Sequence, residues 1–289
     1  MKNSPGSRFR QALHEEKPLQ IVGTINAYAA LMAKDAGFQA IYLSGAGVAN
    51  SSFGLPDLGL TTMDNVLEDV NRITNAVDIP LLVDIDTGWG NELMIARSIK
   101  AMIRAGVAAV HIEDQATLKR CGHRHGKSLV SKEEMVARIC AALDVRTDRE
   151  FMVIARTDAL ATEGLDSSLE RSLAYKEAGA DALFLEAAVT LEQYRIFKEA
   201  LGIPILANMT EFGRTPLHSA KELGEAGVDM VLYPLSANRA MNKAAFDVFK
   251  DIREHGSQKL SLPNMQTREQ LYTHLHYDEY EKKADCLLM

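Results

Sequence analysis

Two stretches of this 289-residue chain hold residue types that do chemistry together. In "LLVDIDTGWGNE", Asp84 and Asp86 flank Ile85, and the alternation of a strand aims both carboxylates at one side while Ile85 points to the other. In "HIEDQATLKRCGHRHGKSLVSKEE", a thiol, Cys121, stands among Lys119, Arg120, Gly122, His123 and Arg124, downstream of Glu113 and Asp114. The first pattern suits a hard cation, and the second suits an acid/base thiol.

Three readings of Cys121 stay open. A free cysteine is often a small buried hydrophobe, but neighbours this charged argue against an apolar site. Cys121, His123 and His125 could chelate zinc, yet their spacing matches no finger pattern and the surrounding positive charge opposes a dication. The leading reading is catalytic: cations stabilise a thiolate, and a long glycine-containing loop after a strand, "KRCGHRHGK", can serve as a closing lid. Cys140, in the helical stretch "EEMVARICAALDV", reads as core, and Cys286 lies in the last few residues.

The elements that must position these groups announce themselves by repetition. "KDAGFQAIYLSG", "IRAGVAAVHIED", "KEAGADALFLEA" and "GEAGVDMVLYPL" each end an amphipathic helix on Ala-Gly and continue into an apolar run of strand length. "VDIPLLVDIDTG" and "LGIPILANMTEF" share a second pattern, with proline just before a strand, where no ladder bond is lost. With "LQIVGTIN" and "EFMVIARTDA" the chain holds eight apolar runs separated by helix-length segments. That alternation predicts a (β/α)8 TIM-type barrel. An open doubly wound sheet also alternates, but it usually carries a glycine-rich phosphate loop, and "SGAG" is too short to be one.

In such a barrel chemistry sits at the C-terminal strand ends. Those positions read Asn26, Ser44 with Gly45, Asp84 with Asp86, Glu113 with Asp114, Arg156 with Asp158, Glu186, Asn208 with Thr210, and Pro234. Each polar residue alone could be a helix cap or turn former. Four carboxylates at one mouth, Asp84, Asp86, Glu113 and Glu186, repel one another unless a cation or protons neutralise them, and all-oxygen donors favour Mg²⁺ or Mn²⁺ over zinc. Arg156, and later Arg239 and Arg268, offer the forks that match substrate carboxylates. No strand end carries a lysine, so a Schiff-base route lacks its nucleophile.

Composition sets limits on the rest. Hydrophobic residues make up 47% and charged residues 25%, ordinary values for a globular protein, and one barrel domain across residues 1–289 is expected, with an N-terminal helix and a helical extension from about 240 to 289. A net charge of -7 without a dense basic block argues against a nucleic-acid partner. The absence of a long apolar run, and of an apolar leader in "MKNSPGSRFRQALHEEK", argues against a membrane and leads to a cytoplasmic expectation. An odd, widely spaced cysteine set does not form a disulfide framework.

The motifs "QIVGTINA", "AIYLSGAGVA", "GLPDLG", "LLVDIDTGWG", "HIEDQ…KRCGH", "ARTDAL.EGLD", "ILANMTEFG", "LYPLSANRAMN" and "MQTREQLY" resemble, in order, those of the isocitrate lyase and phosphoenolpyruvate mutase superfamily, and within it the methylisocitrate-cleaving branch. The resemblance implies that Asp84, Asp86 and Glu113 hold Mg²⁺ (or Mn²⁺). It implies substrate contacts from Ser44, Gly45, Ala46, Cys121, Gly122, Arg156, Glu186, Asn208, Met209, Thr210, Arg239 and Arg268. Asp57, Lys119 and His123 match residues around the gating segment, and Tyr42 matches one near the reacting centre. The implied reaction is cleavage of a small tricarboxylate, 2-methylisocitrate, to pyruvate and succinate, with Cys121 as the proton donor. The implied assembly is a homotetramer whose last barrel helix is exchanged between paired subunits. Where the family usually reads Ser-Gly-Gly-Gly, this chain has Ser44-Gly45-Ala46-Gly47, which bears on the shape of the carboxylate pocket. Isocitrate cleavage, phosphonate chemistry, or a dicarboxylate-binding barrel without turnover are the competing readings.

Overall fold

The computed structural model describes residues 3–116, 119 and 126–288. Among them, eight parallel strands close in sequence order into a barrel: β1 (Leu19–Gly23), β2 (Ala40–Leu43), β3 (Leu81–Asp84), β4 (Ala109–Glu113), β5 (Met152–Thr157), β6 (Ala182–Leu185), β7 (Ile205–Asn208) and β8 (Met230–Tyr233), which returns to pair with β1. The helices are α1 (Pro5–Glu15), α2 (Ala27–Asp35), α3 (Gly45–Gly47), α4 (Met63–Ala76), α5 (Glu92–Arg104), α6 (Lys132–Asp144), α7 (Leu165–Glu177), α8 (Leu191–Leu201), α9 (Ala220–Glu225), α10 (Ser236–His255), α11 (Arg268–Leu275) and α12 (Tyr277–Leu288).

The four Ala-Gly joints fold alike. Gly37, Gly106, Gly179 and Gly227 follow α2, α5, α7 and α9 with φ of 92°, 83°, 102° and 85°, the left-handed region that glycine enters without strain. At each, the next residue's N–H reaches back five residues to a helix carbonyl, as Phe38 does to Ala33 at 3.2 Å and Ala180 to Tyr175 at 3.1 Å. This double-bonded helix end turns the chain directly into the following strand. Helix starts are fixed as regularly: Asn26, Thr62, Asn91, Ser131, Thr190, Ser219 and Thr267 each accept an N–H from three residues on. Asn26 is thus a cap, the structural reading of that strand end.

The apolar residues form two layers. One lies between strands and helices and contains Ile41, Val83, Ile85, Val110, Val153, Leu183 and Val231 with Ile95, Ile99, Met135 and Phe197. The other fills the barrel, from Leu19, Ile21, Ala40, Leu82, Ala109, Met152, Ile154, Ala182, Leu206, Met230 and Leu232, and is closed below by Phe9 and Ala12 of α1. Cys140 of α6 does not belong to either: it is exposed, because Met135, Ile139 and Ala142 form the buried stripe and Cys140 falls beside it. Cys286 is exposed on α12. No helix among the described residues is long and apolar enough to cross a membrane.

Candidate active site

The inward side of the strands changes chemistry along its length. Ala40 gives way to Tyr42 and then Ser44; Leu82 to Asp84; Ala109 to His111 and Glu113; Ile154 to Arg156; Ala182 to Phe184 and Glu186; Leu206 to Asn208. Alternation with a period of two keeps each series on one face, so the apolar members plug the barrel and the polar ones gather at its C-terminal mouth. There they line a cavity of about 180 Å³, bounded by Tyr42, Ser44, Ala46, Asp57, Asp84, Lys119, Arg156, Phe184, Glu186, Asn208, Thr210, Leu232 and Arg239.

Asp84 ends β3 and accepts two backbone donors, Gly45 N–H at 3.1 Å and Asp86 N–H at 3.0 Å. Gly45 sits close to both carboxylates: a Cβ there would stand 3.1 Å from Asp84 Oδ2 and 3.3 Å from Asp86 Oδ1, a tight approach. Both carboxylates therefore face one point, and Ile85 does turn away into the outer layer. The route differs from simple strand alternation, since β3 stops at Asp84 and Asp86 is brought round by a left-handed turn, φ 50°. The Lys119 ammonium binds Asp86 Oδ1 and reaches Asp57 Oδ1 at 2.7 Å.

Burial works against charge on Asp84, but His111, Lys119, Arg156 and the Asp86 N–H outweigh it and hold the carboxyl below the usual range. Burial and the adjacent Asp84 push Asp86 up. Burial alone would favour a neutral Lys119 amine, yet Asp86, Asp84, Glu113 and Asp57 together keep it cationic.

Arg156 lies across the barrel. Its Nε meets Asp158 Oδ2 at 3.0 Å and Glu113 Oε2 at 3.4 Å, and its guanidinium stands 5.1 Å over the Phe184 ring. Asp158 is in turn held by Lys127 Nζ at 2.6 Å, an ion pair with both side chains shut off from solvent. Glu113 is 1% exposed, its Oε1 has no hydrogen-bond partner, and burial pushes its carboxyl well up. The Tyr42 hydroxyl meets His111 Nε2 at 2.9 Å and Asp84 Oδ2 at 3.5 Å. Burial, then Asp84, raises the Tyr42 pKa, so the phenol keeps its proton; burial lowers His111 to about 4, so the imidazole is neutral. Asn208 donates to Glu186 Oε2 at 3.2 Å and leaves its own buried carbonyl oxygen unpartnered.

The match to the phosphoenolpyruvate phosphomutase family model runs over residues 9–253 of this chain. The chain belongs to that family. It is 60% identical to the 2-methylisocitrate lyase of Vibrio cholerae, over 99% of this chain and 95% of that one. Among solved structures it superposes on 2,3-dimethylmalate lyase with a TM-score of 0.89 at 36% identity, covering 98% of this chain and 95% of the other. A phosphonopyruvate hydrolase in complex with oxalate and Mg²⁺ matches with a TM-score of 0.84 at 28% identity, covering 98% and 99%.

Within this phosphomutase-family barrel most of the expected residues meet. Ser44 caps α3, accepting the Gly47 N–H at 3.3 Å, and still lines the cavity. Ala46 lies in α3 and needs no left-handed backbone, so its methyl adds no strain. Thr210 and Arg239 line the mouth, Arg239 with Glu211 at 3.5 Å. Two expected contacts are not brought in. Met209, 2% exposed, alternates outward from Asn208 and Thr210 and packs in the strand–helix layer. Arg268 is exposed at the start of α11 and does not border the cavity. Cys121, Gly122 and His123, like His125 of the zinc reading, lie outside the described residues.

Sequence reasoning passed over His111 and Lys127. His111 sits two residues before Glu113, so alternation along β4 was the signal for it. Asp114 takes the outward direction instead, accepting from Thr157 Oγ1 at 2.8 Å and the Tyr175 hydroxyl at 2.9 Å, and ties β4 to β5 and α7.

The donor set fits a hard cation. Asp84, Asp86, Glu113, Asp158 and Glu186 are each at least nine-tenths buried, against the cations Lys119, Arg156 and Lys127. Among the described residues no three acidic, His or Cys side chains form a complete ligand cluster. Mg²⁺ takes one or two carboxylates and fills its shell with water and substrate oxygens, which suits the paired Asp84 and Asp86 with Glu113's unpartnered oxygen nearby.

Proposed function

We propose that this chain is a Mg²⁺-dependent carbon–carbon lyase that cleaves 2-methylisocitrate to pyruvate and succinate. The observation that carries the reading is the 56–60% identity, over 99% of the chain, to the 2-methylisocitrate lyases of Vibrio cholerae, Shewanella oneidensis, Escherichia coli and Salmonella typhimurium. The buried mouth, rich in carboxylates and lined by Arg156 and Arg239, agrees with a tricarboxylate held through a divalent cation.

Asp84 and Asp86, with Glu113 behind them, would hold Mg²⁺, and Mn²⁺ suits the same oxygens. Bound there, the ion would act as a Lewis acid that lowers the pKa of the substrate hydroxyl. In the reaction a base takes the hydroxyl proton, the bond between the carbinol carbon and its neighbour breaks, the carbinol becomes the pyruvate carbonyl, and the electron pair passes to the succinate fragment. Arg156, fixed by Asp158 and by the Phe184 face, would meet the charge that develops on that fragment's carboxylate, with Asn208 and Thr210 as further polar groups. Tyr42, held protonated, would donate a hydrogen bond beside Asp84. Lys119 and Asp57 would order the mouth, and Ser44, Gly45, Ala46, Glu186 and Arg239 would complete the substrate's surroundings. Cys121 would deliver the proton that turns the carbanion into succinate, with Gly122 and His123 beside it; these roles rest on the family resemblance.

The resemblance also supports a homotetramer with α10 exchanged between paired subunits, and a cytoplasmic enzyme of propionate catabolism by the methylcitrate cycle. The test is pyruvate release from 2-methylisocitrate, run beside glyoxylate release from isocitrate, with and without EDTA, for the native chain and Cys121→Ser. Rapid pyruvate release that EDTA abolishes and Cys121→Ser loses is expected. Glyoxylate as the main product would overturn the substrate, and an active Cys121→Ser would overturn the thiol's role.

A further inference from the structure

Between β2 and α4 the chain crosses the mouth as an irregular segment, residues 53–61, which carries Asp57. Its side chains are poorly covered: Phe53, Leu58 and Leu60 are 40%, 47% and 54% exposed. Beside it opens a cavity of about 420 Å³, lined by Leu60, Thr61, Met63, Asp86, Trp89, Met94 and Lys119. The segment is therefore held over Asp86 by discrete contacts more than by close packing. One is the Lys119 pair with Asp57. A second is the indole N–H of Trp89, which donates to the Thr61 carbonyl at 3.2 Å.

Trp89 has an unusual backbone. Its φ is 61°, between Gly88 at 89° and Gly90 at 155°, three residues after Asp86 at 50°. A bulky residue in the left-handed region is strained and persists only where its surroundings hold it, and such outliers gather at functional sites. The contacts close a ring: Asp86 to Lys119, Lys119 to Asp57, Asp57 along the segment to Thr61, Thr61 to Trp89, and Trp89 back through the turn to Asp86.

We propose that Trp89 is a positioning residue, whose indole N–H latches the Asp57-bearing segment onto the loop of Asp86 so that Lys119 is held between the two carboxylates. The inference deepens the lyase reading, on which its kinetic consequence rests. The latch itself is a property of the substrate-free chain.

Trp89→Phe keeps a ring and removes the donor. Chymotrypsin acting on the metal-free protein, with cuts mapped by mass, is expected to cleave Trp89→Phe within residues 53–61 several-fold faster than wild type, at an unchanged circular dichroism spectrum. In turnover KM is expected to rise several-fold with a smaller change in kcat. Because Trp89 is the chain's one tryptophan, its emission reads the latch directly, and Asp57→Asn, which loosens the segment, is expected to shift emission to the red. Cleavage in 53–61 at the wild-type rate, or emission unmoved by Asp57→Asn, overturns the proposal. If Trp89→Phe does not fold, the emission of Asp57→Asn decides. If the wild type fails to cleave 2-methylisocitrate, the lyase reading falls while proteolysis and emission still judge the latch.

Discussion

Three interactions fix the planar fork of Arg156: Asp158, Glu113 and the Phe184 face. Lysine keeps the charge but has no planar fork that can lie flat over the ring while donating in fixed directions to its carboxylate partners. Arg156→Lys is therefore expected to lower kcat/KM about 10²-fold or more, the scale of losing one donor to developing charge, as read from initial rates of pyruvate release. Lys127 acts at one remove. Its ammonium is buried against Asp158, which holds Arg156, so Lys127→Ala leaves a buried carboxylate short of a cation. Breaking such a pair costs about 3 kcal/mol or more, which urea denaturation would register.

At the scale of elements, the bottom of the barrel should be separable from its mouth. Phe9 of α1 is fully buried among the inward residues of the strands, and Gly6 packs so closely that a Cβ would come within 2.4 Å of the Glu150 carbonyl carbon. Phe9→Ala is expected to cost about 3–5 kcal/mol while the folded fraction keeps its kcat, measured by thermal melting beside turnover. The strands and their order were legible because each Ala-Gly joint writes a local helix end into the sequence, and local chemistry needs no tertiary information. The polar strand ends were legible for the same reason. What escaped depended on direction or distance. Met209 entered through the family resemblance, while alternation between Asn208 and Thr210 sends its side chain outward. Asp86 reaches the mouth through a left-handed turn just past the strand, whereas the sequence predicts plain strand alternation. Lys127 finds Asp158 across 31 residues of chain, a pairing that charge alone does not identify.

The whole molecule raises the question of what covers α10. Of its 20 residues only Asn238 is buried, while Phe246, Phe249 and Ile252 stand 60%, 67% and 45% exposed. Apolar residues spaced by three make one stripe, and burying each would contribute about 2–3 kcal/mol. An exchanged helix would cover this stripe with the partner's barrel, and Phe246→Asp with Phe249→Asp is expected to reduce the proposed tetramer to smaller species in sedimentation velocity. Here α11 rests on α2 of its own chain; an exchange that carried it onto the partner would account for Arg268 lying away from its own cavity. Arg268 would then serve the neighbouring site, and a mixing experiment decides it. Arg268→Ala and Asp86→Ala chains, each expected to be inactive alone, are unfolded together and refolded. If the arginine acts across the interface, random pairing restores roughly a quarter of wild-type activity, since half the pairs are mixed and each holds one complete site. If it acts within its own chain, every site in the mixture lacks one group and the activity stays at background.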